Sequence, residues 1–362
     1  RGYRPKGSGG LAVGTGEQLG RGSRSPLQKS SKCERMVLAR LRAISFERTV
    51  LTIVGASIAA LYAVALSEKF GPIVEDRVVP PATFRPAGTD AEPATEVSTV
   101  QELEAAFERV DYRLANVWGD GLQVPRLFVR SIPEDLDKVQ LVSERKRLFI
   151  RAILPLVLHV NETILADRAM LAALHARLVR GAAPLSAREQ VWIRRLRQRY
   201  GVEDGSWGEL FRRVDIVPPS LAIAQAAIES GWGSSRFARE GNAVFGQWTF
   251  TPGAGMVPLR RDEDKSHEVK RFSGLLESVA DYVMNLNRHP AYKEFRATRE
   301  ALRTTEGVLD GYELAGMLTR YSAKGPAYVR AIRTIIRVNV LQALDRAHLE
   351  DRAAVHAERP DV

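Results

Sequence analysis

Residues 215–250, DIVPPSLAIAQAAIESGWGSSRFAREGNAVFGQWTF, hold the residue types best suited to chemistry. Leu221–Ile228 is apolar except for Gln225 and runs directly into Glu229, Ser230 and Gly231. Pro218, Pro219 and Ser220 make a helix start and Gly231 a helix stop. Apolar residues around almost the whole circumference call for burial on all sides. Glu229 is therefore expected at the C-terminal end of a buried helix. Apolar neighbours and the partial negative charge of that end both disfavour a carboxylate and raise its pKa. A carboxyl that keeps its proton near neutral pH is what a general acid for glycoside cleavage needs. The alternative is a glutamate at a frayed helix end, pointing to water. Trp232, Phe245 and Trp248, set among glycines, suit stacking on the apolar face of a sugar ring, or else belong to the core. Asn242 and Gln247 supply amides for its hydroxyl or N-acetyl groups.

The elements that must position this segment read as helices. Leu103, Phe107, Val110 and Leu114 recur at helical spacing over Val100–Leu114. Asp137–Val179 contains no glycine and a single proline, Pro155, so it reads as two helices or one kinked there. Ser186 starts a further helix through Tyr200, with Glu189 at the capping-box position. The arginines of that helix (Arg188, Arg194, Arg195, Arg197, Arg199) suit a solvated face or an anionic polymer.

The chain has 362 residues, 53 Lys+Arg against 43 Asp+Glu, and one cysteine, Cys33. Eleven basic and three acidic residues in 1–48 hold eight of the ten net positive charges. The remainder is nearly neutral, so the basicity does not argue for nucleic acid. Thr49–Leu66 carries no charge and is long enough to span a bilayer. Arginines precede it, so the N-terminus is expected in the cytoplasm and the rest outside. A signal peptide cleaved near Ala65 is the alternative. Prolines at 72, 80, 81, 86 and 93 mark a semi-stiff spacer. One cysteine excludes an internal disulfide and a cysteine-based zinc site. There is no GxSxG elbow, HExxH pair or P-loop, and the six histidines are scattered. No metal or cofactor is expected.

The string AQAAIESGWGSSRFAREGNAVFGQW resembles the catalytic segment of family 73 glycoside hydrolases, the bacterial cell-wall N-acetylglucosaminidases. It is most similar to the proteobacterial Bax-type branch. The likeness extends through 124–136, 146–168, 272–296 and 318–339, about 210 residues in all. The resemblance implies an α+β, mostly helical, lysozyme-like glucosaminidase domain with a small β-lobe. A substrate groove would lie between the two lobes. It places Glu229 as general acid and matches Tyr321 and Tyr328 to a tyrosine pair, one member of which lies near the reaction centre. Here that motif reads Tyr-Ser-Ala-Lys-Gly-Pro-Ala-Tyr, one residue longer than the family's form and without its aspartate. The working tyrosine is thus left open; Tyr321 is taken as catalytic and Tyr328 as substrate-binding.

Such a reaction also needs a second carboxylate. Glu268 is preferred because Glu268–Phe272 alternates like a strand leading into the next helix, with Asp262, Glu263 and Asp264 as alternatives. Glu277 and Asp281 read as capping or surface groups. The implied substrate is the peptidoglycan glycan strand, met by an inner-membrane protein whose catalytic domain is periplasmic. The expected organisation is a basic tail (1–48), a membrane helix (49–66), a linker (67–99), a helical region (100–205), the glucosaminidase domain (206–347) and a C-terminal tail (348–362).

Overall fold

The computed structural model describes residues 94–119, 122–258, 268–305 and 307–351. The basic tail, the apolar run 49–66, most of the linker, and Asp262, Glu263 and Asp264 lie outside them. Eleven α-helices carry the described part: α1 (Val100–Glu108), α2 (Leu114–Gly119), α3 (Val142–Val179), α4 (Ala187–Tyr200), α5 (Trp207–Arg213), α6 (Pro219–Ser230), α7 (Arg236–Gly241), α8 (Leu275–Arg288), α9 (Lys293–Thr305), α10 (Gly311–Ala315) and α11 (Pro326–Val338). Strands β2 (Trp248–Thr249), β3 (Gly255–Met256) and β4 (Glu268–Lys270) form a small antiparallel sheet with β4 in the middle. Its register pairs Trp248 with Val269 and Thr249 with Glu268 on one edge, and Gly255 with Lys270 on the other.

The N-terminal end of the described chain is tied in earlier than the linker boundary suggests. Thr95 bridges Val129, and Val97 is buried. Thr99 and Glu102 make a capping box at the start of α1. The helix stops at Glu108, short of the expected Leu114. Asp111 takes a positive φ of 43°, and the turn swings Tyr112 edge-on against Phe107 at 5.4 Å. The positive-φ turn at Asp111 thus splits a continuous helical pattern in two.

Asp137 lies in a short 3₁₀ turn, Leu136–Lys138. Val142–Val179, 38 residues, form one continuous helix that contains Pro155. A proline there removes one backbone donor, yet Ile153, Leu154, Leu156 and Val157 on either side are fully buried. Burial worth about 1.5–3 kcal/mol per large aliphatic side chain outweighs that loss. Its most apolar window, mean hydropathy 1.6, would suit a membrane by composition, but most of it is buried within the fold. α3 is the central core helix, packed on α6 and α8.

The Ser186–Glu189 capping box opens α4 as expected, and Gly201 closes it at φ 64°. The main hydrophobic core runs from Val97 to Leu349, across the expected 205/206 division, and Ala243, Val269 and Phe272 form a second, small cluster. β5 (His348–Leu349) pairs in parallel with β1 (Gln123–Val124), which carries the fold past residue 347.

Candidate active site

α6 delivers Glu229. Pro219 sits at its first turn, where a missing N–H costs nothing. The Ser220 N–H donates to Asp345 Oδ1 at 2.8 Å, and the Ser220 hydroxyl donates to Oδ2 at 2.8 Å. From Pro219 to Ala227 every residue is buried. The helix ends on three successive left-handed residues, Gly231 (φ 60°), Trp232 (φ 59°) and Gly233 (φ 78°). This turn folds Trp232 back, edge-on to Phe149 at 5.9 Å, with Lys146 Nζ 4.9 Å from its ring centre. A Cβ at residue 233 would meet Leu136 Cδ2 at 2.9 Å and Phe149 Cδ2 at 3.0 Å. Glycine is required there by space as well as by backbone angle.

The Glu229 carboxyl is half-buried at this turn. Burial pushes its pKa up, opposed by a hydrogen bond from Tyr328 and by the charge of Lys324. The Tyr328 hydroxyl donates to Glu229 Oε1 at 2.7 Å and accepts from Gln225 Nε2 at 3.0 Å. The Tyr282 hydroxyl donates to Gln225 Oε1 at 2.6 Å. Four tyrosines gather behind the acid. Tyr321 stacks parallel to Tyr328 at 5.5 Å, and Tyr282 and Tyr292 lie 6.5 and 6.1 Å from Tyr321. Burial holds all four hydroxyls above the ordinary phenol pKa, Tyr292 at about 12, so they stay neutral.

The tyrosine that touches the acid is therefore Tyr328, assigned above to substrate, and not Tyr321, assigned above to catalysis. The Tyr321 hydroxyl donates instead to the Phe245 carbonyl at 3.3 Å. Gly325 (φ 50°) precedes α11, and Tyr328 enters the core from that helix's first turn, where α11 packs on α6.

Two of the expected sugar contacts belong to the interior. Phe245 is 2% exposed and stacks on Tyr282 at 3.9 Å with the rings 3° from parallel. Asn242 caps α7 at φ 54° and donates from Nδ2 to the Phe272 carbonyl at 3.3 Å. The Phe245 ring and the Asn242 Nδ2 join α7, the end of β4 and α8, while Asn242 Oδ1 has no hydrogen-bond partner among the described residues. Gln247 is half-buried, its Nε2 donating to the Ser278 carbonyl at 3.0 Å. Trp248 stays open at 60% exposure on β2, and Phe250, unremarked in the sequence, is 72% exposed two residues on.

Glu268 is 7% exposed on the central strand. Its Oε1 accepts from the Gly253 N–H at 3.1 Å and its Oε2 from the Gly255 N–H at 2.9 Å. In this geometry the carboxylate braces the loop between β2 and β3. Glu277 accepts from Ser273 at the start of α8, and Asp281 pairs with Lys270 of β4 at 2.5 Å. Both have the structural roles expected of them. Among the described residues, no three His, Cys, Asp or Glu side chains gather as a metal site.

Sequence reasoning passed over Gln225, Tyr282 and Lys324. Gln225 had a readable signal: a lone amide in an otherwise apolar buried helix must find partners. Tyr282 and Lys324 had none, because their approach to Glu229 comes from elements 50 to 100 residues away.

Residues 207–341 match the glucosaminidase family, described as mannosyl-glycoprotein endo-beta-N-acetylglucosaminidase. Protein bax of Escherichia coli K12 is 33% identical over 225 residues, 60% of this chain and 77% of bax. Peptidoglycan hydrolase FlgJ of Salmonella typhimurium is 32% identical over 133 residues, 33% of this chain and 39% of FlgJ. The chain thus spans about two fifths of FlgJ. The catalytic domain of the autolysin Auto from Listeria monocytogenes superposes at a TM-score of 0.28 with 18% identity, over 47% of this chain and 94% of that one. That superposition is too loose to bear on the fold. The matched segment contains Glu229 and the tyrosines around it, and bax is covered over most of its length: the chain belongs to the glucosaminidase family of glycoside hydrolases.

Proposed function

We propose that this protein cleaves the β-1,4 bond after N-acetylglucosamine in peptidoglycan, with Glu229 as general acid. The observation that carries the reading is the Glu229 carboxyl, raised in pKa by burial at the end of an apolar helix and held on one oxygen by Tyr328. Glu229 gives its proton to the leaving glycosidic oxygen as the bond to the anomeric carbon breaks. A second carboxylate from 262–268, Glu268 or one of Asp262, Glu263 and Asp264, then activates water or steadies an oxazolinium formed by the substrate's own N-acetyl group. Trp248 on the exposed β2 edge, with Trp232 and Gln247, supplies the sugar contacts. Residues 49–66 anchor the chain in the inner membrane with its N-terminus cytoplasmic and its catalytic part periplasmic. Peptidoglycan as substrate is supported by the relative named a peptidoglycan hydrolase.

Purified sacculi digested with the full chain test this. New reducing ends of N-acetylglucosamine are expected by mass spectrometry. N-acetylmuramic or anhydro ends would replace the reading with a muramidase or lytic transglycosylase. No release would leave a wall-binding scaffold. Glu229→Gln should lower kcat by a factor of about 10³ or more while wall binding persists. Retained turnover in that variant would remove Glu229 from the role.

A further inference from the structure

The hydrogen-bond chain behind Glu229 has a direction, and that direction is set at its far end. Tyr282, Gln225 and Tyr328 are all buried, at 0%, 0% and 4% exposure. Each tyrosine has one proton to give, and the amide of Gln225 can face either way. In one order Tyr282 donates to Gln225 Oε1, Gln225 Nε2 donates to Tyr328, and Tyr328 donates to Glu229 Oε1. In the reverse order Glu229 donates to Tyr328, Tyr328 to Gln225, and Gln225 to Tyr282. The reverse order takes from the buried Tyr282 hydroxyl the one acceptor it has among the described residues, which is strongly disfavoured. The forward order gives both tyrosine protons and the Gln225 carbonyl oxygen a partner, and it is the one the geometry displays.

Resting on Glu229 as the general acid, we propose that Gln225 and Tyr282 are positioning residues that polarise this relay, so that Glu229 always carries its acid proton on Oε2. Oε1 is occupied as an acceptor from Tyr328. Oε2 faces Gly246, where an added Cβ would lie 3.6 Å away. Glycine at 246, at φ 63°, leaves that oxygen uncovered by any side chain of its own. The relay thus keeps the proton on the oxygen away from the tyrosines. The titratable groups that bear on Glu229 are Tyr328 and Lys324, with Tyr282, Tyr292 and Tyr321 behind them. Tyr282, Tyr292 and Tyr321 stay neutral in the working range, so the direction does not reverse with pH.

The direction can be read in the unmutated full chain by NMR, with no activity required. The side-chain amide protons of Gln225 should show nuclear Overhauser contacts to the ring of Tyr328 and not to that of Tyr282. Contacts to Tyr282 alone would overturn the proposal. With glutamate side-chain carboxyls labelled with carbon-13, the Glu229 signal is assigned by its loss in Glu229→Gln. Tyr282→Phe frees the amide to turn, so Tyr328 can accept from Glu229 and the protonated acid gains. The titration midpoint should rise, and kcat on sacculi should fall about tenfold with KM unchanged. Tyr328→Phe should also raise the midpoint, and adding Tyr282→Phe to it should move it no further. An unmoved midpoint in folded Tyr282→Phe, or additive shifts in the double variant, would refute the relay. Failure of the wild type to cut sacculi would instead refute the functional reading and leave the amide direction standing.

Discussion

Glu229 is pulled in two directions. Burial raises its pKa, while Tyr328 and Lys324 draw it back. In its proposed role as general acid Glu229 must be protonated, so kcat should fall as pH rises through that elevated midpoint. Lys324 is exposed, and its charge favours the carboxylate. Lys324→Met therefore removes a force that holds the pKa down, and the alkaline limb of the pH–rate profile should move to higher pH. A limb that moves to lower pH would contradict this electrostatic account. Trp248 poses a simpler test, since it is 60% exposed on an edge strand. Trp248→Ala should raise KM for sacculi about three- to tenfold, the worth of one aromatic stacking contact, with no change in melting temperature. A change in stability without a change in KM would make it a structural residue.

The turn that carries Glu229 depends on how α6 ends. Gly231, Trp232 and Gly233 all lie in the left-handed region, and Ser230 locks the turn by accepting the Gly233 N–H at 2.9 Å. Only the two glycines adopt that backbone at little cost, and Trp232 is held there by its contact with Phe149. Gly233→Ala would force a Cβ against Leu136 and Phe149. It should destabilise the fold by about 1–3 kcal/mol, read from the urea midpoint. Wild-type stability in that variant would mean that α3 and the Leu136 turn yield more easily than packed side chains do. The β-lobe is braced in a comparable way. The loop between β2 and β3 closes on the Glu268 carboxylate, and Gly255 has no room for a Cβ because the Val269 carbonyl would lie 2.4 Å from it.

Distant parts of the chain meet at Asp345, which lies in the 3₁₀ segment Leu341–Arg346. It accepts from Ser220 at the head of α6 and from the Gly311 N–H at the head of α10 at 2.9 Å. Burial pushes its pKa up to about 7, against three donors and with Asp310 adding to the rise. In the unfolded chain an aspartate titrates near 4. The folded state therefore binds the proton more tightly between those values. Asp345 stabilises most below about pH 4, and this contribution is lost as pH rises to about 7. The stability gap between wild type and Asp345→Asn should shrink by about 4 kcal/mol between pH 4 and pH 7.5. Denaturant titrations of both proteins across that range check it. A pH-independent gap would mean that Asp345 titrates alike in the folded and unfolded chain.

Much of this protein could be read from its residues in order. The apolar run Leu221–Ile228 dictated a buried helix, Gly231 its stop, and the Ser186–Glu189 box the start of α4, because these depend on neighbours within a turn or two. The position of Glu229 at the end of that helix, and hence the direction of its pKa shift, followed from the same local facts. What packing decided lies at longer range. Burial carried α3 unbroken through Pro155. Phe245 and Asn242 went to the interior because α7, β4 and α8 converge on them. Tyr328 rather than Tyr321 reached the acid because α11 packs on α6. Spacing along a chain shows which faces of an element are apolar. Which hydroxyl meets which carboxylate depends on how those faces close on one another, and sequence order carries no measure of that distance.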